Sequence, residues 1–151
     1  MPEINLFLDS SALIAGIVSA EGASRALLLL AESGHIALTI SEQVLAESER
    51  AIARKAPKAL SDLRQAILAS KTRIVRDPSP EDVSVHPNLV SHAVDIPIVL
   101  AAVQAKADYL VTLNRKHFID DPGVAQQAGL RIGTPGDALS WIRGQITAED
   151  R

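Results

Sequence analysis

The sequence predicts an α/β fold with a mostly parallel central sheet. Five short apolar or β-branched runs alternate with longer helical patterns, and each run is nearly continuous instead of alternating apolar with polar residues. Continuous apolar runs are typical of strands covered on both faces, and strands that alternate with helices form parallel sheets. Because the 151 residues contain neither a repeat nor a linker, we expect one domain over residues 1–146 and a frayed tail over 147–151.

Local sequence signals place the individual elements. The predicted strands cover residues 4–9, 35–40, 72–76, 108–113 and 130–133, and the predicted helices cover 11–19, 23–33, 41–55, 57–70, 95–106 and 134–141. Gly34 suits the position that ends a helix, and Ser41 suits the cap of the next one. Pro57 and Pro97 stand in first helical turns, where proline is tolerated. Three prolines between residues 78 and 87 indicate a loop with one short helical turn.

The composition excludes several classes of protein. The chain has no cysteine, so it carries no disulfide, thiolate nucleophile or thiolate metal site, which fits a reducing cytoplasm. It lacks a basic and apolar signal segment, and no apolar run approaches the ~20 residues of a membrane span. We therefore expect a cytoplasmic protein with no membrane partner. Aromatic residues make up only 3% of the chain, which argues against base stacking on an aromatic platform.

The charge is unevenly distributed along the chain. The formal net charge is −3, yet residues 50–76 contain eight basic side chains and a single acid, Asp62, for a local charge of about +7. The rest of the chain therefore carries about −10. One half of the molecule can face phosphates while the other half gathers carboxylates; the alternative is a solvated pair of helices.

Four acids are expected to converge near one edge of the sheet. Asp9 ends the first strand, Glu42 and Glu47 lie near the start of the third helix, and Asp95 begins a later helix. Ligands bind such sheets at the carboxyl ends of the strands. Carboxylates gathered there repel one another and have raised pKa values, which a hard divalent cation relieves. Without cysteine or paired histidines, Mg²⁺ or Mn²⁺ is the expected ion, and water bound to it can attack phosphorus.

Each of these residues also has a simpler structural interpretation. Asp9 and Asp95 can act only as helix N-caps, and Glu42 as a first-turn acid that the helix dipole favours. Glu47 lies among apolar neighbours, so a purely solvated role is harder to assign to it. Asp108 fits either a polar residue at the start of a strand or a support for the site. The four histidines show no ligand spacing and are expected to be structural or on the surface.

Four segments resemble the PIN-domain ribonucleases in order and spacing. They are FLDSSAL, ISEQVLAESER, VDIPIVLAAVQAKADYLVTLNRKHF and GTPGDALSWI, and they span about residues 4–142. The family includes the toxin components of VapBC-type toxin–antitoxin pairs. The resemblance implies a three-layer α/β/α PIN-like fold and metal-dependent cleavage of RNA with Mg²⁺ or Mn²⁺. It also implies a small antitoxin partner and a homodimer.

The same resemblance implies roles for particular residues. Asp9, Glu47 and Asp95 match the family's acids and would bind the metal, with Glu47 positioning a metal-bound water. Thr112 and Asn114 would hold the metal's water shell or the scissile phosphate. The residues expected to contact the RNA substrate are Ser10, Ser11, Arg50, Arg54 and Arg115. Many family members carry a fourth acid where this chain has Asn114, which adds no negative charge, but three acids suffice for one Mg²⁺.

Three functions are consistent with these residues. The first is an RNA-hydrolysing toxin of a toxin–antitoxin pair. The second is a non-catalytic PIN scaffold that binds RNA or a protein partner. The third is a phosphatase that forms an aspartyl-phosphate on Asp9. Phosphatases of the haloacid dehalogenase type usually carry a second aspartate two residues later, where this chain has Ser11, and no clear phosphate-binding lysine is present.

Overall fold

All neighbouring strands of the central sheet pair in parallel. The strands are β1 (Asn5–Leu8), β2 (Ala37–Ser41), β3 (Arg73–Val75), β4 (Tyr109–Val111) and β5 (Arg131–Gly133), in the order β3-β2-β1-β4-β5. This computed structural model describes residues 3–149. The five strands lie within or overlap the predicted runs, so the predicted parallel sheet is confirmed.

Helices cover both faces of the sheet. They are α1 (Ser10–Val18), α2 (Ala23–Glu32), α3 (Glu42–Lys55), α4 (Leu60–Ala69), α5 (Pro80–Ser84), α6 (Ile96–Gln104), α7 (Pro122–Ala128) and α8 (Pro135–Glu149). Helix α1 packs on α2, α3 and α4, and α2 packs on α8. Helix α6 contacts β2, α5 and α7. Right-handed crossovers place these two groups on opposite faces, which is the three-layer α/β/α arrangement.

The order of the strands reverses beside β1. From β1 the chain continues to β2 and β3 on one side, whereas β4 pairs with the other side of β1 and leads to β5. A crevice opens where the crossovers from two neighbouring strands leave in opposite directions, and ligands bind there in open parallel sheets. The carboxyl ends of β1 and β4 are therefore where the fold itself provides room for a site.

Three parts of the structure differ from the sequence predictions or add to them. Helix α7 and a π-helical turn at Arg115–Ile119 were not predicted. Helix α8 continues through Glu149, so residues 147–149 of the expected frayed tail are helical, and residues 150 and 151 lie outside the described part of the chain. No single helix among residues 3–149 is long and apolar enough to cross a membrane, although α1 and α2, bent by 87°, meet that test as a pair.

The core is aliphatic with a small aromatic contribution. The side chains of Leu6, Phe7 and Leu8 are at most 2% exposed. Phe118 is among the largest fully buried side chains. Trp141, the only tryptophan, lies where α8 meets the sheet. Its ring lies 5.5 Å from the Tyr109 ring in β4, and the Arg131 guanidinium lies 5.0 Å above it. Such contacts add a fraction of a kcal/mol to about 2 kcal/mol beyond simple burial.

Helices α1 and α2 approach each other at Gly16. A Cβ atom at this buried position would lie 2.8 Å from Leu28 Cδ1 and 3.3 Å from the Ser24 carbonyl oxygen. The first contact would push the Leu28 side chain aside, and the second is tighter than an ordinary Cβ contact with backbone, so the close approach of these helices favours glycine.

We therefore expect Gly16→Val to lower the free energy of unfolding by about 1–3 kcal/mol, because a β-branched side chain forces the two helices apart. Urea unfolding followed by circular dichroism measures the change. Gly144→Val is the matched control, since within the described residues no heavy atom lies within 4 Å of a Cβ placed at Gly144. Equal stability of the two variants would contradict the assigned contact.

Candidate metal-binding active site

The carboxylate of Asp9 is fixed from three directions at the end of β1. Oδ1 accepts hydrogen bonds from the Ser11 hydroxyl at 2.6 Å and from the Ala12 N–H at 2.9 Å, and Oδ2 accepts one from the Thr112 hydroxyl. The Asp9 N–H donates to the Val111 carbonyl at 3.1 Å, so β4 holds the backbone as well. Asp9 is thus the N-cap of α1, as one interpretation predicted, and its side chain also lines a pocket.

Asp95 lies at the start of α6 but does not cap it. Among the described residues its side chain makes no capping hydrogen bond, so the N-cap interpretation of this carboxylate is not supported. Pro97 stands in the first turn, as predicted, and needs no N–H partner. The Asp95 side chain is 13% exposed, and its Oδ2 instead lies 3.0 Å from Nδ1 of His117.

Glu47 projects from the second turn of α3 toward the same pocket. Ser41 caps this helix by accepting from the Val44 N–H at 3.3 Å, as the sequence predicted. Glu47 Oε1 is buried and has no hydrogen-bond partner among residues 3–149. A buried carboxylate oxygen without a partner is costly unless a cation or water satisfies it.

Burial and mutual repulsion perturb these acids. Burial raises the pKa of Asp9, and the charge of Asp95 raises it further, against the lowering effect of the hydrogen bonds from Ser11, Thr112 and Ala12. Burial also raises the pKa of Glu47, as does the charge of Asp95, while Arg50 lowers it. The three carboxylates therefore form a set of oxygen ligands whose negative charge is not balanced by nearby positive side chains. A site of this kind suits a divalent cation.

One pocket of about 230 Å³ brings most of the predicted residues together. Its lining includes Asp9, Ser10, Ser11, Glu47, Asp95 and Asn114, together with His92, Val94, Ile98, His117 and Phe118. Larger cavities lie elsewhere on the surface, including one lined by Leu113 just past β4, but none of these is lined by Asp9, Glu47 or Asp95. The convergence of acids at the strand ends, not the size of the pocket, identifies this as the candidate site.

Two acids that were considered for the site lie outside it. Glu42 Oε1 accepts from the Asp77 N–H at 3.1 Å, and Asp77 in turn accepts from the Gln43 N–H at 2.9 Å. These bonds tie the start of α3 to the end of β3. Asp108 accepts from the Asn5 N–H at 2.8 Å at the amino ends of the strands, so it is the polar residue at the start of a strand and does not support the site.

Ser11 and Thr112 serve Asp9 more directly than they could serve a substrate. Thr112 is fully buried, and its hydroxyl donates to Asp9 while accepting from the Asn114 N–H at 2.9 Å. The Ser11 hydroxyl donates to Asp9 and accepts from the Leu113 N–H at 2.9 Å. Both hydroxyls therefore position the Asp9 carboxylate, and their contacts with phosphate or metal-bound water stay predictions.

The basic residues expected to bind RNA lie around the pocket, outside its lining. Glu47, Arg50 and Arg54 are spaced three and seven residues apart, so they share one stripe of α3, with both arginines exposed. Arg115 follows the pocket residue Asn114 and forms an exposed ion pair with Asp120 at 3.6 Å. Such surface pairs contribute little, so Arg115 can exchange Asp120 for a phosphate at small cost.

Two histidines belong to the pocket, contrary to the expectation of purely structural or surface roles. The rings of His92 and His117 are stacked with centroids 4.5 Å apart, and a ligand atom from each lies within 4.8 Å of the others in the group His92, Asp95 and His117. His92 precedes Asp95 by three residues, and His117 follows Asn114 by three. That spacing to other site residues was the available sequence signal, but the two histidines are 25 positions apart and meet only in the fold.

Comparisons with known proteins agree with this geometry. A family model described as PIN domain matches residues 5–116, and no curated protein matches the sequence. Among solved structures, PAE2754 from Pyrobaculum aerophilum has a TM-score of 0.65 at 16% identity, covering 93% of this chain and 90% of that one. VapBC2 from Rickettsia felis, bound to a promoter DNA fragment, has 0.57 at 16%, covering 87% and 98%. VapC20 from Mycobacterium tuberculosis, a Sarcin-Ricin loop cleaving toxin, has 0.53 at 14%, covering 74% and 91%.

In metal-free buffer with a chelator, we expect Asp9→Asn to raise the melting temperature at pH 7. Because the pKa of Asp9 is raised, protonation of its side chain stabilises the folded protein. This stabilisation is fully present below the pKa of Asp9 in the unfolded chain, near the ordinary value of 3.8, and is lost as the pH rises through its pKa in the folded protein. Asparagine stays neutral, so the substitution avoids this loss of stability at pH 7. Each kcal/mol of added stability raises the melting temperature by about 2–4 °C in a domain of this size.

The advantage of Asp9→Asn is expected to shrink as the pH falls toward 4 and to vanish below the unfolded pKa near 3.8, where Asp9 becomes neutral in both states. Thermal melts between pH 4 and pH 8 measure this trend. Asp62→Asn, at an exposed site in the first turn of α4, is the control and should bring no gain. A gain for Asp9→Asn that does not change with pH would contradict the electrostatic explanation.

Proposed function

The chain belongs to the PIN-domain family, and on that premise we propose that it is a metal-dependent endoribonuclease, the toxin of a toxin–antitoxin pair. The observation that carries the proposal is the convergence of Asp9, Glu47 and Asp95 at the strand-order reversal, with one buried oxygen of Glu47 that has no hydrogen-bond partner among residues 3–149. Buried carboxylates arranged in this way are expensive for the fold, and binding a cation is the chemistry that such an arrangement supports.

The donor set fits a Mg²⁺ or Mn²⁺ ion. Asp9 and Asp95 would hold the ion through carboxylate oxygens, with Glu47 beside them, and the hydroxyls of Ser11 and Thr112 keep Asp9 in place. When bound, such an ion neutralises phosphate charge and lowers the pKa of water. Glu47, with its raised pKa, would orient the attacking water and accept its proton. The water oxygen would bond to phosphorus while the bond from phosphorus to one ribose oxygen breaks, and the proton held by Glu47 would return through solvent to that leaving oxygen.

The RNA would approach along the basic stripe of α3. Arg50 and Arg54 extend from Glu47 across the exposed side of the helix, and Arg115 lies beside Asn114 at the pocket. Their guanidinium groups would pair with phosphates and set the strand's register, whereas Ser10 at the pocket surface would contact the phosphate near the reacting bond. Contacts of this kind carry affinity without base preference.

An antitoxin partner and a homodimer also belong to this proposal. Two of the similar structures bear names of toxin–antitoxin systems, VapBC2 and VapC20, and these names describe those proteins. For this chain, we expect a small partner to cover the acid pocket and to place an arginine against the carboxylates, where a bidentate pair replaces the cation's charge. Co-expression with the adjacent small reading frame, followed by light scattering of the complex, tests both the partner and the dimer.

The main alternative is a scaffold that binds RNA or protein without cleaving it. Asn114 favours this alternative, because its amide caps the turn at Arg115–Ile119 by accepting from the His117 N–H at 3.2 Å and adds no charge to the pocket. A scaffold of this kind would bind RNA in the presence of a chelator as well as in Mn²⁺, and would release no cleavage product.

We expect purified protein to cleave RNA from a panel of structured and single-stranded substrates with Mg²⁺ or Mn²⁺, and not with EDTA. Asp9→Asn, Glu47→Gln and Asp95→Asn should each reduce the rate by about a hundredfold or more, because Asp9 and Asp95 would hold the cation and Glu47 would accept the proton of the attacking water. Gel analysis of end-labelled RNA measures the rates.

Glu42→Gln is the matched control for these variants. It removes the same charge from the same helix as Glu47→Gln, but Glu42 lies outside the pocket and bonds to Asp77. We expect its cleavage rate to stay within about twofold of the wild type. Cleavage that persists in all three pocket variants would rule out the assigned site.

We expect Arg54→Ala to weaken RNA binding to a similar extent for all sequences and to reduce the slope of log K against log salt by about 0.7–1. The background is Asp9→Asn, so that binding is measured without cleavage. Fluorescence anisotropy between about 50 and 200 mM salt measures the slope. The expected change in slope corresponds to the loss of roughly one phosphate contact. Arg143→Ala on α8, which is exposed and away from this stripe, should leave the slope unchanged.

A further inference from the structure

We propose that His92 and His117 are nitrogen ligands of a metal position that shares Asp95, and that they make the site prefer a transition-metal ion to Mg²⁺. The nuclease proposed above requires only oxygen donors and a cation; it assigns no role to either histidine. This inference rests on that proposal only in sharing the pocket, and it concerns which ion the pocket selects.

The first observation is the arrangement of donor atoms. Nδ1 of His117 lies 3.0 Å from Oδ2 of Asp95, and one ligand atom from each of His92, Asp95 and His117 falls within 4.8 Å of the others. Two atoms that each bind one ion at about 2.1 Å, at a right angle, are about 3.0 Å apart. The pair of Asp95 and His117 therefore already has the spacing of neighbouring ligands, and the exposed His92, stacked on His117, offers a ring nitrogen within 4.8 Å of both ligand atoms.

The second observation is a conflict in the hydrogen bonds around His117. Its Nδ1 lies 3.0 Å from the Asn114 amide nitrogen, which only donates, and 3.0 Å from the Asp95 carboxylate, which accepts when ionised. The backbone N–H of His117 donates to Asn114 Oδ1 at 3.2 Å, which fixes the orientation of that amide. One ring nitrogen can accept or donate but cannot do both, so no placement of a proton satisfies both contacts with an ionised Asp95.

A cation between Nδ1 and Oδ2 resolves this conflict at Asp95. It needs the lone pair on the nitrogen and the charge on the oxygen, and it removes the repulsion between the two electron-rich atoms. The backbone supports this use of His117, because the residue lies in the π-helical turn at Arg115–Ile119, and turns of this type occur frequently at functional sites.

The identity of the ligands determines which ion is favoured. Mg²⁺ prefers oxygen ligands and gives up its waters reluctantly, whereas imidazole suits later first-row ions such as Co²⁺, Ni²⁺ and Zn²⁺. A pocket that offers carboxylates on the Asp9 side and imidazoles on the Asp95 side thus binds Mg²⁺ through oxygen alone. A transition-metal ion gains the nitrogen ligands in addition, so its affinity depends on the histidines and that of Mg²⁺ does not.

The test uses Co²⁺ and Mg²⁺ as probes with the whole chain. Isothermal titration calorimetry gives both affinities, and the visible absorption of bound Co²⁺ reports nitrogen ligands and coordination number without any cleavage assay. We expect His117→Gln and His92→Gln each to weaken Co²⁺ binding by about tenfold or more, the usual cost of losing a ligand or its support. Mg²⁺ affinity should stay within about twofold, and the Co²⁺ spectrum should change.

His35→Gln is the control, because His35 is exposed, far along the chain from the pocket residues, and bonded to Ser33. Pulsed electron spin resonance of Cu²⁺ bound to the wild type provides a second measurement that does not depend on any variant folding, since Cu²⁺ suits imidazole and such a ligand gives a nitrogen hyperfine coupling. Unchanged Co²⁺ affinity and spectrum in both histidine variants, or no nitrogen coupling, would overturn the inference.

The two proposals fail in different ways. If Co²⁺ binding depends on the histidines but no metal supports RNA cleavage, the ion site stands and the nuclease proposal falls. If Mg²⁺-dependent cleavage requires Asp9 while Co²⁺ binding ignores His92 and His117, the nuclease proposal stands and the histidine ligands are rejected.

Discussion

The hydrogen bonds that join Asp9 to the ends of β1 and β4 are the constraint on which the rest of the site depends. Thr112, Ser11 and the Ala12 N–H hold the carboxylate, and the backbone N–H groups of residues 113 and 114 return bonds to the same two hydroxyls. The two loops that leave the sheet are thus joined through one buried acid. Because these bonds tie together the segments that follow β1 and β4, the architecture sets the position of the acid.

This junction places a cost on the free protein. Asp9 is only 4% exposed, and Glu47 has a buried oxygen without a hydrogen-bond partner among the described residues. Asp95 lies against Nδ1 of His117, which is also within hydrogen-bond distance of the Asn114 amide nitrogen. Neutral hydrogen-bonding side chains in place of these carboxylates would make the same junction more stable. Sites that keep such an arrangement exchange stability for the ability to bind charge, which is the usual relation between strain and function.

The sequence predicted the sheet and the acids well because their signals are local. The apolar runs, Gly34, Ser41 and Pro97 each act within a few residues, and the strand ends then determine where Asp9 and Asp95 lie. Helix α7 was missed although Asp121 caps it, Pro122 begins it and Gly129 ends it at φ 64°, since Asp-Pro-Gly also indicates a simple turn.

The histidines were missed for a different reason, because their roles depend on contacts between segments far apart in the chain. His117 meets Asp95 only once the turn that follows β4 and the start of α6 come together in the fold. Likewise, nothing local distinguishes Glu42 from Glu47; the former bonds to Asp77 after β3 has joined the sheet. Residue types and helix phase indicated which acids were candidates, whereas tertiary packing selected among them.

The single tryptophan gives this molecule an internal optical reporter. Trp141 is half-buried between α8 and the sheet, next to Tyr109 and beneath Arg131, and the chain contains no second indole to mask its emission. Its fluorescence therefore reports the packing of the last helix on the sheet. The acid pocket lies at the carboxyl ends of β1 and β4. Trp141 does not line the acid pocket, so a change in its emission when a metal ion is added reports a change in the packing of α8 against β4.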